Sequence, residues 1–311
     1  MSVESRDLIV LGSGPGGYVA AIRASQLGRK VSIVERDSLG GICLNWGCIP
    51  SKALLKSAHL YHDIKRASTF GLEVENVKVD FPKVIERSRE VAGKLSGGVS
   101  YLMKKNKVEI IKGNGALKKG NNLEVTDSKG SKVTYNFKDI IIATGARART
   151  IPNIDIDGEL FHTYRTILAN KRLPQKLLVV GAGAIGMEFA YFFNSMGAQV
   201  TVVEMADQIL PPEDTEVSNE LEKILTKQGL TIKTSAAVGN ISSAGKTATA
   251  TITKDGVEEK WSGDCCLFAI GVVPNTENIG LEEVGIKTDH GFINTDKFLK
   301  TNIANHYADS G

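Results

Sequence analysis

Short apolar runs alternate along this chain with glycine-rich turns and with amphipathic segments of helical period. The first apolar run covers residues 8–11 and stops at Gly12-Ser-Gly-Pro-Gly-Gly17. An amphipathic segment follows at residues 16–27, and a second apolar run covers residues 31–34 before Glu35. Continuous apolar runs are typical of parallel strands that are covered on both faces. The order strand, glycine turn, helix and strand therefore predicts a βαβ unit.

The same pattern begins again at residue 177, so the chain contains an internal repeat. Four glycines and one acidic residue of the first unit recur in the second unit at a constant offset of 169 positions. These pairs are Gly12 and Gly181, Gly14 and Gly183, Gly17 and Gly186, Gly28 and Gly197, and Glu35 and Glu204.

Glycines at this spacing bind a dinucleotide pyrophosphate when a strand precedes them and a helix follows. The first glycine makes the tight turn, the second lets the backbone approach the phosphates, and the third lets helix and strand pack closely. The helix N-terminus adds unpaired N–H groups and a positive dipole end. A glycine-rich loop without a ligand is the alternative, but two copies at the same spacing predict two dinucleotides.

The acidic residue that ends the second strand of each unit is expected to accept hydrogen bonds from a ribose. Glu204 would bond the 2′-hydroxyl of NAD and repel the 2′-phosphate of NADP. Residues 205–207 contain no arginine that could bind that phosphate. The second unit therefore favours NAD.

The remaining periodicity completes an α/β fold. We predict helices at residues 53–67, 81–106 and 217–228, and strands of antiparallel character at residues 108–112, 122–126 and 132–136. Further strands are predicted at 139–145, 231–234, 247–253, 260–262 and 265–270. The expected architecture is two Rossmann-like domains, each with a parallel sheet, helices and an antiparallel β-meander. The predicted boundaries are 1–149 for the first domain, with the cysteine pair, 150–276 for the second, and 277–311 for an incomplete return segment.

Composition excludes several classes of function. The 38 basic and 35 acidic residues give a net charge of only +3, which argues against a nucleic-acid or anionic-membrane partner. No apolar run has the length of a membrane span, and we expect no signal peptide and a cytoplasmic location. No second cysteine pair or matching histidine suggests a metal site.

Two cysteines lie in the segment Gly40-Gly-Ile-Cys-Leu-Asn-Trp-Gly-Cys-Ile-Pro-Ser-Lys52. Cys43 and Cys48 are close enough in sequence to form a small redox-active disulfide ring. The alternative is two buried structural cysteines, because free cysteine often packs as a small apolar residue. Cys265 and Cys266 are adjacent, and core packing is the better interpretation for them.

The two glycine motifs, the cysteine segment, Ala143-Thr-Gly145 and Gly271-Val-Val-Pro-Asn275 together resemble the flavin-dependent disulfide oxidoreductases. Within that family the cysteine segment is most similar to the dihydrolipoyl dehydrogenase branch. The resemblance implies transfer of electrons from a dihydrolipoyl dithiol, through the disulfide and FAD, to NAD. The implied partner is the lipoyl group of a 2-oxoacid dehydrogenase or glycine cleavage complex.

The resemblance also implies roles for single residues. Cys48 would lie next to the flavin, Cys43 would exchange with the dithiol, and Lys52 and Glu188 would form an ion pair beside the flavin ring. The FAD site would further include Glu35, Gly115, Thr144 and Gly145, and the NAD site would include Glu204, Val238 and Gly271.

Two departures from the family pattern support an alternative function. Members use a His–Glu base from a C-terminal interface domain, and we expect that domain to be absent here. The segment that should read Tyr-Ala-x-Gly-Asp is His306-Tyr-Ala-Asp-Ser-Gly311, with Asp309 two positions early. The alternatives are an FAD- and NAD-binding fragment without turnover, or another flavin disulfide reductase. A homodimer is expected of full-length members, but not clearly of this chain.

Overall fold

A computed structural model describes residues 3–309 of the chain. Its helices, in chain order, are α1 (Pro15–Gln26), α2 (Gly41–Trp46), α3 (Cys48–Lys65), α4 (Phe81–Lys105), α5 (Tyr164–Ile167), α6 (Ala184–Met196), α7 (Thr215–Lys227) and α8 (Leu281–Val284). A short 3₁₀ helix covers Ala67–Phe70.

The strands of the first half, in chain order, are β1 (Val3–Leu11), β2 (Val31–Glu35), β3 (Glu109–Lys112), β4 (Asn114–Lys118), β5 (Asn122–Thr126), β6 (Lys132–Ile142), β7 (Ala146–Ala148) and β8 (Phe161–His162). Those of the second half are β9 (Lys176–Val180), β10 (Gln199–Val203), β11 (Thr231–Lys233), β12 (Ala236–Ala244), β13 (Thr247–Lys254), β14 (Val257–Gly263), β15 (Cys265–Phe268), β16 (Val272–Pro274), β17 (Thr288–Asp289), β18 (Phe292–Ile293) and β19 (His306–Ala308).

The chain forms two compact units. Unit 1 comprises Met1–Asn45, Ala92–Arg147 and Val273–Gly311, and unit 2 comprises Trp46–Val91 and Ala148–Val272. Residues 46–91 thus group with the second glycine motif, although the sequence-based division assigns them to the first domain. That division, which follows the expected cofactors, stays a prediction.

Unit 1 is built on a sheet of seven strands. Six of them have the order β3-β2-β1-β6-β5-β4, and β19 pairs with the end of β6. Strand β6 is long enough to have two neighbours on one side: its first half pairs antiparallel with β5, and its last three residues pair parallel with β19. Ile9 and Val10 of β1 are fully buried, which explains why this strand is a continuous apolar run.

Unit 2 contains a five-stranded sheet in the order β11-β10-β9-β15-β8, and all of its pairs are parallel. A separate antiparallel meander is formed by β12, β13 and β14. Helix α6 buries Phe189, Phe192 and Phe193, which share one face because they follow helical spacing. Phe81 of α4 packs against two of these rings, at centroid distances of 5.9 and 6.0 Å.

The predicted α/β class is confirmed, and each unit has parallel strands and an antiparallel meander. In unit 1 the meander β4-β5-β6 belongs to the same sheet as the parallel strands, so that this sheet is mixed. The prediction for residues 108–112 was wrong in one respect, because β3 pairs parallel with β2 and lies at the edge of the sheet. Three of its four residues are exposed and the other is half-buried, which reflects an edge position. Within residues 3–309, no helix is both long and apolar enough to cross a membrane.

Candidate active site with two dinucleotide loops

The first glycine loop links β1 to α1 and has almost no space for side chains at two positions. Gly12 has φ +102°, and an ideal Cβ on it would lie 2.1 Å from the carbonyl oxygen of Ala143. A Cβ on Gly17 would lie 2.0 Å from the carbonyl oxygen of Gly12. Gly14, the N-cap of α1, has no other atom within 4 Å of its Cβ position. The loop is therefore closed against the sheet, whereas its N-cap position has open space around it.

The second loop, between β9 and α6, has the same geometry. Gly181 has φ +101°, and its Cβ position lies 2.4 Å from the carbonyl oxygen of Ala269. The Cβ position of Gly186 lies 2.0 Å from the carbonyl oxygen of Gly181, and that of Gly183 has open space around it. The sequence repeat is thus a repeat of the same backbone cradle. Both cradles fit a pyrophosphate at the start of a helix.

The acidic residue of each unit connects the glycine loop to the end of the second strand. Glu35 Oε2 accepts hydrogen bonds from Ser13 N (2.9 Å) and Ser13 Oγ (2.5 Å), and Oε1 accepts one from Asp37 N (2.7 Å). Glu204 accepts from Ala182 N (2.7 Å) and Ala206 N (2.9 Å). The sequence predicted that both carboxylates accept hydrogen bonds from a ribose. The structure adds that each carboxylate accepts hydrogen bonds from its own glycine loop. A carboxylate has about four acceptor positions, so capacity for a ribose remains in each.

A cavity of about 360 Å³ lies beside Glu35 in unit 1, with Ser96 and Lys112 also in its lining. Gly115 is buried on β4, where a Cβ would lie 2.6 Å from a methyl group of Leu11. Glycine is thus required there for packing. The structure gives Gly115 no position in the lining of this cavity, so its predicted role near the adenine stays a prediction.

Thr144 and Gly145 follow β6 and are fixed by one buried amide. The Nδ2 of Asn275 donates to the carbonyl oxygen of Thr144 (3.0 Å), and the backbone N of Asn275 donates to Gly145 (2.8 Å). Arg147 Nη1 donates to the Asn275 side-chain oxygen (3.3 Å) and to Glu277 (2.8 Å). These bonds hold the segment rigid at the carboxyl end of β6, where dinucleotide ligands bind.

The two remaining residues of the predicted NAD site belong to unit 2. Val238 is half-buried on β12 and packs against the apolar core of that unit. Gly271 follows β15 with φ +97°, and its carbonyl oxygen accepts a hydrogen bond from Arg149 N (3.0 Å). Neither observation tests contact with a dinucleotide.

The cysteine segment folds as two helices separated at Gly47. Cys43 is half-buried in α2, whereas Cys48 is exposed as the first residue of α3. Asn45 Nδ2 donates to the carbonyl oxygens of Leu39 and Gly41, both at 2.9 Å. Cys48 is therefore an accessible thiol at the start of an 18-residue helix.

Cys265 and Cys266, unlike Cys43 and Cys48, are buried. They are 2% and 0% exposed on the central strand β15. Burial raises the pKa of each thiol to about 12, so neither is ionised at neutral pH. Their burial on β15 confirms the core packing predicted for them.

Trp46 lies between the two segment cysteines in sequence and stacks with two arginines. The guanidinium carbon of Arg89 lies 4.2 Å from the centre of the indole, and that of Arg165 lies 4.6 Å from it. Desolvation and the charge of Arg165 lower the pKa of Arg89. Sequence reasoning missed this cluster, because nothing in the local pattern links α4 and α5 to residue 46.

Lys52 and Glu188 are brought together by α3 and α6. Lys52 Nζ lies 3.6 Å from Glu188 Oε1, and the two side chains are 66% and 36% exposed. Exposed ion pairs contribute little to folding. The pair therefore adds little to the stability of the fold.

We therefore expect Lys52→Met to lower the free energy of unfolding by less than about 1 kcal/mol. Urea denaturation of the cofactor-free chain measures this, with Lys83→Met as the control, since Lys83 forms another exposed ion pair, with Asp80 at 2.9 Å. A much larger loss in Lys52→Met than in the control would mean that the ion pair is structural.

Among the described residues, no group of three or more His, Cys, Asp or Glu side chains could hold a metal ion. Unit 1 thus contains an open pyrophosphate cradle, and unit 2 contains a second one, together with an exposed cysteine at a helix start and a lysine–glutamate pair. Comparison with known proteins identifies this combination. The family model described as pyridine nucleotide-disulphide oxidoreductase matches residues 6–308. The chain belongs to this family.

Individual relatives agree with the assignment. The dihydrolipoyl dehydrogenase of Zymomonas mobilis is 51% identical over 303 residues, which cover 97% of this chain and 65% of that protein. The dihydrolipoyl dehydrogenase of Rhizobium etli is 48% identical over an alignment 321 residues long, gaps included. This alignment covers 98% of this chain and 67% of that protein. The chain thus spans about two thirds of the length of these curated relatives.

Solved structures give the same family. The crystal structure of LpdA from Mycobacterium tuberculosis matches with a TM-score of 0.89 and 29% identity, over 98% of this chain and 67% of that one. A flavoprotein disulfide reductase of Escherichia coli, induced by HOCl and solved as a Cu(II) complex, matches with a TM-score of 0.82 and 27% identity, over 99% and 66%. FAD and NAD(H) are the cofactors that this family membership implies.

Proposed function

We propose that this chain carries the cofactor sites and the redox disulfide of a dihydrolipoyl dehydrogenase. It would pass electrons from a dihydrolipoyl dithiol through Cys43 and Cys48 and FAD to NAD. The observation that carries the proposal is the combination of two open glycine cradles with a cysteine pair of which one member, Cys48, is exposed at a helix start. Two dinucleotides and one accessible thiol are what this reaction requires.

The residues of the chain would divide the work as follows. One thiolate of the dihydrolipoyl group attacks the Cys43–Cys48 disulfide and forms a mixed disulfide, and its second thiol then displaces the enzyme cysteine. The lipoyl group leaves as a disulfide, and Cys43 and Cys48 hold the two electrons as thiols. Bound FAD supplies the two-electron relay to NAD. Lys52, held by Glu188, presents a positive charge that stabilises negative charge developing on a neighbouring ligand.

Each glycine loop would bind one of the two cofactors. We propose FAD for the first, with Gly12, Gly14, Gly17, Glu35, Gly115, Thr144 and Gly145, and NAD for the second, with Gly181, Gly183, Gly186, Glu204, Val238 and Gly271. The absence of arginine at residues 205–207 supports NAD over NADP. The lipoyl group would come from a 2-oxoacid dehydrogenase or glycine cleavage complex, in the cytoplasm.

A second candidate is a fragment that binds FAD and NAD but does not turn over the dithiol. Two histidines argue for it, because they are buried in their own units and unavailable as the base for a substrate thiol. Both ring nitrogens of His162 are hydrogen-bonded, and burial lowers its pKa. His306 is 3% exposed, and its Nδ1 donates a hydrogen bond to the carbonyl oxygen of Ala304 at 2.8 Å.

Steady-state assays with the purified, FAD-saturated chain separate these functions. The first predicts a flavin spectrum, a long-wavelength absorption band on two-electron reduction, and reduction of NAD by dihydrolipoamide. The second predicts NADH oxidation with an artificial electron acceptor but no dihydrolipoamide reaction. If added FAD is not bound at all, both are wrong. A panel of other disulfide substrates tests for a different reductase.

A further inference from the structure

The carboxylate of Asp309 lies against the first turn of α1. An ideal Cβ on Gly16 would be 1.7 Å from Asp309 Oδ2 and 2.9 Å from its Cγ. The carboxylate thus occupies the space that a side chain at position 16 would need. The backbone of Asp309 is also fixed, because its N–H donates to the carbonyl oxygen of Ile142 at 2.9 Å.

This location is electrostatically favourable for an anion. The first residues of a helix have backbone N–H groups without intrahelical partners, and the helix dipole places partial positive charge there. Helix α1 has 12 residues, with Gly14 as an N-cap that uses no side chain for capping. One carboxylate therefore already provides negative charge at the helix end to which a pyrophosphate would bind.

The second glycine loop serves as an internal comparison. The repeat places Ile185 at the position of Gly16, and Ile185 is 39% exposed. In the first loop the carboxylate packs on a glycine, whereas the equivalent position of the second loop carries an isoleucine side chain. The two loops share their cradle but differ in the charge beside it.

We propose that Asp309 sets the affinity of the first loop for FAD. Its carboxylate repels the pyrophosphate and competes with it for the start of α1, so that it must move aside when FAD binds. The inference rests on the proposed assignment of the first loop to FAD. Asp309 acts on affinity and takes no part in electron transfer.

The test compares wild type with Asp309→Asn, which removes the charge and preserves the shape. Fluorescence quenching of added FAD is expected to give a Kd about five- to tenfold lower in Asp309→Asn. The cofactor-free variant should at the same time melt about 1–2 °C lower, because the helix loses a favourable charge. A residue with a merely structural role would weaken both properties.

Glu282→Gln is the matched control, since it makes the same change of net charge at an exposed position of unit 1, on α8. Its Kd for FAD should equal that of wild type. Asp309→Ser must reproduce the effect of Asp309→Asn, and a cooperative thermal unfolding transition shows that each variant is folded. Equal or weaker FAD binding in both Asp309 variants overturns this inference alone. No FAD binding by any of the proteins overturns the assignment of the loop as well.

Discussion

Cys48→Ser is expected to abolish dithiol oxidation, with a loss on the order of 10³-fold or more. A serine hydroxyl stays protonated at neutral pH and forms no mixed disulfide. A cysteine thiolate, in contrast, can attack a disulfide and can leave from a mixed disulfide. NADH oxidation with an artificial acceptor should persist, because it does not pass through the cysteines. Parallel assays of the FAD-loaded variant with dihydrolipoamide and with the artificial acceptor measure the difference.

Cys266→Ala is the control for Cys48→Ser. Cys266 is fully buried and its thiol has a pKa of about 12, so it should react with a disulfide reagent only after unfolding. The control should keep the dithiol reaction and lose only about 1 kcal/mol of stability. Equal loss of both activities in Cys48→Ser would indicate damage to FAD binding and contradict the proposed role.

The glycine loops were predictable because their chemistry is local. Turn, helix start and packing contact all fall within six residues, and the second copy at a constant offset removed the ambiguity of a single motif. The structure then shows the same φ at Gly12 and Gly181 and the same close contact at Gly17 and Gly186. Local steric requirements can be read directly from the residue types.

Strand direction and long-range contacts were less predictable from the sequence. The mixture of polar and apolar residues at 108–112 does not specify strand direction, because a strand at the edge of a parallel sheet is also largely exposed. The stacking of Arg89 and Arg165 on Trp46 depends on where α4 and α5 pack, which no local pattern specifies. The contact of Asp309 with Gly16 likewise follows from the pairing of β19 with β6.

Gly186→Ala and Gly183→Ala are expected to separate two requirements of the second loop, which are close packing of helix on strand and access of the phosphates to the backbone. A Cβ at Gly186 would lie 2.0 Å from a backbone oxygen, so that α6 must move away from β9. We expect a loss of several kcal/mol in unfolding free energy, together with loss of NAD binding. Urea denaturation and a direct binding assay with NAD measure the two effects.

Gly183→Ala is the matched change, because its Cβ would meet no atom within 4 Å and its φ of −69° suits alanine. Its stability should stay within about 0.5 kcal/mol of wild type. NAD affinity should nevertheless fall, since the methyl group projects into the open end of the cradle where the phosphates need the bare backbone. If Gly183→Ala bound NAD as well as wild type while Gly186→Ala did not, the loop would matter only for packing, and the second dinucleotide site would have to lie elsewhere in unit 2.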